Sequence, residues 1–382
     1  MKIGCITTSI VPSKTANSIQ AVKVCHALKQ CGQDVQLWVP EFERAQWPRI
    51  AEIYGISEQF DITWLPFNKK LKQYDFSYQS VRKAIDWGAD VIYTWALQAA
   101  FIGNVFKKPV AMEFHDFPMG FMGPKIFRMF MRLPAPKLIM TTTRALANGI
   151  EEKYGLTFKD TDLQIAPNGT DPDRYRGLPS PSAARTQLGL PDGFTVGYTG
   201  HFYPGRGMDL LTAIAKALPE VQFLWVGGMD KHIAPWKETL AAEGIKNVTI
   251  TGFIPNHHLP LYQAAADVLV MPYAQKIEGS SGGNIAPVIN PMKMFDYLSV
   301  GRPIIASNIP VFHEVLTPDL AVFCGPDDAA EWADVIRRLS QDTSLCQSMR
   351  RAALDKAQHY SWKNRAAKSI TMLETKIGTM HE

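Results

Sequence analysis

The stretch NPMKMFDYLSVGRPIIAS, residues 290–307, carries a lysine and an aspartate three positions apart, Lys293 and Asp296. At that spacing two side chains lie one turn apart on the same side of a helix. Local signals place a helix here: Asn290 is a favoured N-cap, Pro291 suits the first helical position, and Gly301 is placed to end it. Met292, Phe295 and Leu298 recur at helical spacing and read as core, and the apolar run Pro303–Ala306 reads as a buried strand. The Lys–Asp pair fits two readings, an ordinary solvated pair on an amphipathic helix or a polar turn that serves a ligand. The rest of the chain bears on that choice.

Other residues with chemical potential also follow apolar runs. In YTGHFYPGRGMDLL, Gly200, Gly205 and Gly207 allow close backbone approach, while His201 and Arg206 bring cationic capacity. A glycine-bearing strand-to-helix loop with an arginine suits a diphosphate, because backbone N–H groups and a helix N-terminus favour anions. Its spacing matches neither the phosphate-loop nor the dinucleotide fingerprint, and Arg206 as a solvated loop charge is the alternative. In AMEFHDFP, Glu113, His115 and Asp116 stand at a strand end, where the histidine fits either substrate handling or a structural bond to a loop. In SKTANSIQ, Ser13, Asn17 and Ser18 either line a cleft or simply cap the helix that follows. Asn168-Gly169 in APNGTDPDRY is turn chemistry and reads as structural. The glycine- and serine-rich YAQKIEGSSGGNIAPVINP is long enough to wrap a sugar or phosphate, mobility without function being the alternative.

These residues need elements to hold them. Strand-like runs alternate with helical patterns: KIGCITTSI, DVQLWVP, DITWLP, DVIYTW, PVAMEFH, KLIMTTT and LQIAPNG, then TVGYTG, VQFLWVGG, NVTITG, DVLVMPY, RPIIAS and LAVFCG. In the first helical pattern, Ala21, Val24, Cys25 and Leu28 recur as one face. Such alternation predicts an α/β chain of parallel sheets covered on both faces. The pattern pauses over residues 170–193, rich in proline and polar residues, so two Rossmann-like, doubly wound domains in series are expected. Ligands bind at the carboxyl ends of strands in such sheets, so the two domains are expected to face each other across a cleft.

Composition limits the function classes. The chain has 382 residues, 46% hydrophobic and 20% charged, ordinary for a globular protein with a sizeable core. A net charge of +4 without a long basic tract argues against a nucleic-acid partner. Five cysteines without metal-ligand spacing suit a reducing compartment. The N-terminus lacks the pattern of a signal peptide, and no uninterrupted apolar run reaches membrane-spanning length, so a cytoplasmic location is expected.

Taken together, TSIVPSKTANSIQ, EFHDFP, IAPNGTD, YTGHFYPGRGMDLL, VTITGFIP, PMKMFDYLSVGRPIIAS and the terminal YSW resemble the GT-B glycosyltransferases, specifically the retaining family 4 group. The resemblance runs the length of the chain and is strongest in its second half. It implies an N-terminal acceptor-side domain over 1–172, a linker over 173–193, a nucleotide-sugar-binding domain over 194–359, and a C-terminal helix of about 360–382 that packs back on the first domain. The implied donor is a nucleotide-diphosphate sugar whose diphosphate lies at the N-terminus of the helix opening at Pro291. By resemblance Asp296 takes the ribose hydroxyls, which fits a carboxylate able to accept from both members of a diol. Lys293 then lies between helix amides and phosphates. The two basic groups of the glycine loop fall on His201 and Arg206, and the family's cleft histidine falls on His115. Arg206 would stabilise charge developing on the leaving diphosphate in a metal-independent reaction.

Three positions depart from the family pattern. Val288 stands where a glutamate is usual, Asp296 replaces the usual glutamate, and His201 replaces the usual arginine. The loop Gly279–Asn284, with Gly283 and Asn284 in it, is the candidate to supply backbone N–H groups in place of the missing sugar contact. The implied reaction is glycosyl transfer with retention to a glycan or lipid-linked acceptor, with Ser13, Asn17 and Ser18 on the acceptor side and no cofactor. Two alternatives stay open: a nucleotide-sugar epimerase of the same fold, and a non-catalytic GT-B scaffold or binding subunit. Residues 120–137, with Lys125, Arg128 and Arg132 among aromatic and methionine side chains, read either as a packed helix with a cationic edge or as a peripheral contact with the inner face of a membrane.

Overall fold

A computed structural model of the chain describes residues 1–71, 73–278 and 283–378. It divides into two compact units, Met1–Asn168 together with the chain from Trp362 onward, and Gly169–Ser361. Each of the thirteen strand-like runs read from the sequence contains a strand.

The first unit holds β1 (Lys2–Ile6), β2 (Asp34–Pro40), β3 (Asp61–Leu65), β4 (Val91–Thr94), β5 (Val110–Phe114), β6 (Lys137–Thr141) and β7 (Leu163–Ile165). They form one parallel sheet in the order β3-β2-β1-β4-β5-β6-β7. Its helices are α1 (Ala16–Gln30), α2 (Trp47–Tyr54), α3 (Tyr74–Asp86), α4 (Leu97–Val105), α5 (Gly123–Arg132) and α6 (Arg144–Tyr154). Ala21, Val24, Cys25 and Leu28 are buried along α1, the face that their spacing predicted.

The second unit starts with α7 (Pro181–Leu188), followed by β8 (Thr195–Thr199), α8 (Met208–Ala217), β9 (Gln222–Val226), α9 (Asp230–Ala242) and β10 (Val248–Gly252). The chain continues through α10 (Leu259–Ala264), β11 (Val268–Met271), α11 (Met292–Val300), β12 (Ile304–Ser307), β13 (Ala321–Cys324), α12 (Ala329–Gln341) and α13 (Thr343–His359). Its sheet is also parallel, in the order β10-β9-β8-β11-β12-β13. The helix α14 (Trp362–Gly378) belongs to the first unit and packs along α1.

The stretch 173–193, expected as a linker, lies inside the second unit. The reason is a buried guanidinium. Arg185 on α7 pairs with Asp267 at 2.9 Å and donates to the Ala265 carbonyl at 3.0 Å, which ties the proline-rich segment to the start of β11.

The helix quoted at the outset starts at Met292, one residue later than its cap signals predicted, with Pro291 extended at its cap position. Gly301 ends it in the left-handed conformation at φ 65°, and its N–H reaches the Leu298 and Tyr297 carbonyls. Met294, Phe295, Tyr297 and Leu298 are all fully buried, so the helix is enclosed on more than the single face expected of an amphipathic one. Arg302 is also buried, donating to the carbonyls of Ala266 and Ala264. The turn that follows the helix is thus fastened to the sheet beneath.

In both sheets the strand order reverses once, between β1 and β4 and between β8 and β11. Loops leaving the carboxyl ends of such strand pairs splay apart and leave a crevice. In the second unit those loops are 200–207 and the segment after Met271. They are drawn together by the Ala274 N–H, which donates to the Gly205 carbonyl at 3.1 Å. Gly207 lies against the same segment with φ 78°, and a Cβ on it would stand 1.7 Å from the Pro272 carbonyl oxygen. Replacement by alanine therefore combines backbone strain with a clash. Gly207→Ala is expected to lower stability by about 2–4 kcal/mol, measured by denaturant unfolding of the two proteins.

Candidate functional site

Two cations, Lys293 and Arg206, converge on one tyrosine ring in the second unit. The Lys293 side chain runs back over the end of β8, with its Nζ 3.6 Å from the centre of the Tyr198 ring and 5.3 Å from that of Tyr273. Arg206, from the glycine loop, lies over the same Tyr273 ring at 5.1 Å and donates to its hydroxyl. Among the described residues neither cation has a carboxylate at ion-pair distance. Burial, and then the charge of Arg206, hold the Lys293 ammonium well below the ordinary lysine range. Two cations facing one aromatic ring, with no anion between them, form a site short of negative charge.

The glycine loop makes room for this arrangement. Gly200 has φ 145°, and a Cβ there would come 2.8 Å from the Lys293 Nζ. Its neighbour His201 is half-buried, its ring stacked on Tyr203 at 4.9 Å, and its carbonyl accepts from the Tyr198 hydroxyl at 2.8 Å. His201 therefore stands at the rim of the loop that carries Arg206. Tyr297, one turn along α11, receives the Thr199 N–H at 2.8 Å and fixes the helix to the end of β8.

Asp296 takes different partners from Lys293, so the solvated Lys–Asp pair is not what the helix presents. Its Oδ1 accepts from the Thr170 hydroxyl at 3.3 Å, and the buried Tyr175 hydroxyl donates to the same carboxylate. Burial, and then the Asp296 charge, raise the Tyr175 phenol well above its usual range, which keeps it a donor. Two such donors from one segment orient the carboxylate. Sequence reasoning took the segment 168–175 as a turn. The proximity of Thr170 and Tyr175 to Asp296, more than a hundred residues away, leaves no trace in local spacing.

The loop expected to reach the donor sugar is shaped by one of its own side chains. The Asn284 side chain accepts from the Ile277 and Ala286 N–H groups at 2.9 and 3.0 Å and donates to the Gln275 carbonyl. These bonds shape the loop whose backbone N–H groups were the expected sugar contact. Gly283 beside it is exposed with φ 81°, and Gly279–Gly282 of the expected wrapping loop lie outside the described residues. Val288 is buried at 3%, so a carboxylate in its place would be taken out of water.

In the first unit, His115 follows β5 and is 28% exposed at its side chain. Its Nε2 donates to Glu113 Oε1 at 2.7 Å, which leaves Nδ1 as the acceptor of the neutral ring. The same oxygen accepts from Gln20 at 2.6 Å and from Arg365 at 2.5 Å, while Tyr93 donates to Oε2. Burial alone would raise the Glu113 carboxyl, but the Arg365 guanidinium and then His115 hold it well below the usual carboxylate range. Arg365 comes from α14, near the end of the chain, and also donates to the carbonyls of Ala166 and Pro167. Sequence reasoning noted the YSW three residues before it and missed the arginine.

The acceptor-side trio separates. Asn17 is exposed and Ser13 half-buried, but Ser18 is fully buried with its hydroxyl 2.5 Å from that of Tyr54. Ser18 packs α1 against α2 and is not available to a substrate. Among the described residues no group of three or more His, Cys, Asp or Glu side chains is placed to hold a metal ion.

Residues 193–342, within the second unit, match the family described as glycosyl transferases group 1. Across 98% of this chain and 100% of its own, the crystal structure of HepE from Anabaena in complex with UDP superposes with a TM-score of 0.75 at 18% identity. The fold is GT-B. The 2-deoxystreptamine glucosyltransferase of Streptomyces kanamyceticus is 25% identical over 53% of this chain and 51% of its own length. The α-galactosylglucosyldiacylglycerol synthase of Streptococcus pneumoniae is 22% identical over 56% and 54%. The chain thus spans about half the length of these two relatives.

The Glu113 cluster sets a pH dependence. Its carboxyl titrates lower in the folded chain than in the unfolded one, so its contribution to stability is complete above the unfolded value of about 4.3 and is lost as pH falls toward the folded value. Glu113→Gln should give a shallower fall in melting temperature between neutral and acidic pH than the parent shows. At neutral pH the same change leaves Arg365 buried without its partner and is expected to cost about 3–5 kcal/mol. The double replacement Glu113→Gln with Arg365→Met should recover part of that loss.

Proposed function

Taking as premise a GT-B fold whose residues 193–342 match the glycosyl transferases group 1 family, we propose that the protein is a metal-independent, retaining glycosyltransferase using a nucleotide-diphosphate sugar. The observation that carries this reading is the pair of unpaired cations, Lys293 and Arg206, at the strand-order reversal of the second sheet. A diphosphate supplies the negative charge that this crevice lacks, and it meets backbone N–H groups at the start of α11 as well. Asp296, oriented by Thr170 and Tyr175, takes the vicinal ribose hydroxyls.

In this reading the bond from the sugar's anomeric carbon to the leaving phosphate oxygen breaks while the acceptor hydroxyl bonds to the same carbon on the same face. The acceptor proton passes to the departing phosphate. Lys293 and Arg206 neutralise the charge that grows on that phosphate, an electrostatic contribution that needs no reorganisation if both groups are already in place. His115 offers Nδ1 to a hydroxyl, its ring held by Glu113. The acceptor is a glycan or a lipid-linked molecule, the latter supported by the lipid named in the pneumococcal relative, and a cytoplasmic protein working at the inner face of a membrane would meet it there. A binding-only subunit is the second reading. The buried Val288, where the family usually has a glutamate, favours it, and nucleotide binding without any turnover would establish it.

The deciding experiment is a thermal-shift panel of UDP, GDP and ADP on the parent and on Asp296→Ala. UDP heads the panel because it is the ligand in the HepE complex. One nucleotide at a hundred times its Kd should raise the midpoint by about 5 °C or more, and Asp296→Ala should abolish the shift. A folded sample that shifts with no nucleotide refutes the proposal.

Lys293 gives a separate signature. Its ammonium is held low in the free protein, and a bound diphosphate favours the charged form, so binding should take up protons. Calorimetric enthalpies should vary with the buffer's ionisation enthalpy, affinity should fall as pH rises, and Lys293→Met should remove both effects.

A further inference from the structure

Among the described residues eleven large hydrophobic side chains are exposed, and ten of them lie in the first unit, Leu354 being the exception. The largest exposure belongs to Phe121, at 81%. Phe121 precedes α5, whose apolar face of Ile126, Phe127 and Phe130 is fully accounted for by the core. The outward face repeats at helical spacing and mixes two kinds of residue: Phe121, Met122 and Met129 with Lys125, Arg128 and Arg132, all exposed. Lys125 stands over the Phe121 ring at 4.2 Å. Residues 117–137 contain no aspartate or glutamate.

The neighbouring helices extend this face. In the row α3, α4, α5 each helix packs against the next. Tyr78 of α3 lies 6.3 Å from the ring of Phe106 at the end of α4, with Arg82 over that ring at 5.5 Å; both aromatic side chains are exposed. Segment 66–137, which spans the row, holds eleven lysines and arginines against five carboxylates, a net +6 in a chain whose total is +4. The positive charge of the protein is therefore gathered on one stretch, and the remainder is slightly acidic.

We propose that the exposed face of α3, α4 and α5, centred on Phe121 and α5, docks on an anionic lipid bilayer. Aromatic and methionine side chains can enter the boundary between head groups and acyl chains, while lysine and arginine keep their charge at the phosphates and lay their stems along the apolar surface. A protein partner of ordinary composition would leave so many cations without carboxylates to meet them. The anionic surface of a bilayer meets them without any specific pairing, at roughly 1 kcal/mol for each basic residue near it. The inference stands on the surface of the first unit and does not depend on the chemistry assigned to the second.

The test is co-sedimentation of the full chain, without any sugar donor, with phosphatidylcholine vesicles that contain or lack phosphatidylglycerol. Binding is expected with phosphatidylglycerol only, and it should weaken at about 0.5 M salt, where the screening length is a few ångströms. The triple change Lys125→Gln, Arg128→Gln, Arg132→Gln should weaken partition by about fivefold per charge, the equivalent of roughly 1 kcal/mol each. Phe121→Ser with Met129→Ser should weaken it too, and neither variant should melt earlier than the parent because all five side chains are exposed. Absence of binding to phosphatidylglycerol vesicles overturns the proposal, as does equal binding by the triple variant. A self-associating chain that ignores vesicles and becomes monomeric with Phe121→Ser also overturns it, and makes the patch a protein interface. Vesicle binding by a protein that shifts with no nucleotide would uphold this surface while refuting the transferase reading.

Discussion

The constraint on which the second unit turns is the approach of two like charges. Lys293 and Arg206 face the same Tyr273 ring, and nothing in the described chain neutralises them. Like charges in a partly desolvated crevice repel, and burial, then the Arg206 charge, lower the Lys293 ammonium. The arrangement persists because its surroundings are over-determined. Tyr198 and Tyr273 offer negative ring faces, Gly200 leaves room for the ammonium, and Gly207 lets the loop press against the Pro272 backbone. Strain and repulsion of this kind are expected where a fold is prepared for an anion.

The first unit manages buried charge the other way. Glu113 is fully enclosed, yet Gln20, His115, Tyr93 and Arg365 satisfy it completely enough to hold its carboxyl ionised. The cluster ties together β4, β5, α1 and the returning α14. A helix at the end of the chain thereby fixes the orientation of a histidine placed some 250 residues earlier, and any loosening of α14 is felt at the His115 ring. The second unit leaves two crevice cations without a carboxylate, while the first closes its buried charge internally.

Much of this was legible in the residues. Alternating strand and helix patterns placed all thirteen strands, because a parallel sheet buried on both faces requires continuous apolar runs that few other elements share. Gly301 and Pro291 marked the limits of α11 to within a residue, since caps act through their own backbone geometry. Lys293, Arg206 and Asp296 were recognisable as types and positions. One failure was of another kind. Ser18 looked available because a small polar residue near a helix start usually is, yet its hydroxyl is enclosed against that of Tyr54.

What the sequence determined by itself was therefore everything that depends on neighbours within a few residues: strand and helix positions, the reversal-prone order of a doubly wound chain, and the glycines that permit close approach. Only the tertiary structure decided which side chains share a charge. Arg365 meets Glu113 across 252 positions and Thr170 meets Asp296 across 126, and the gathering of exposed apolar residues on α3, α4 and α5 emerges only once three separate helices are laid side by side. Electrostatic and surface properties depend on distances through space, and distance along the chain carries almost no information about them once a fold has brought its ends together.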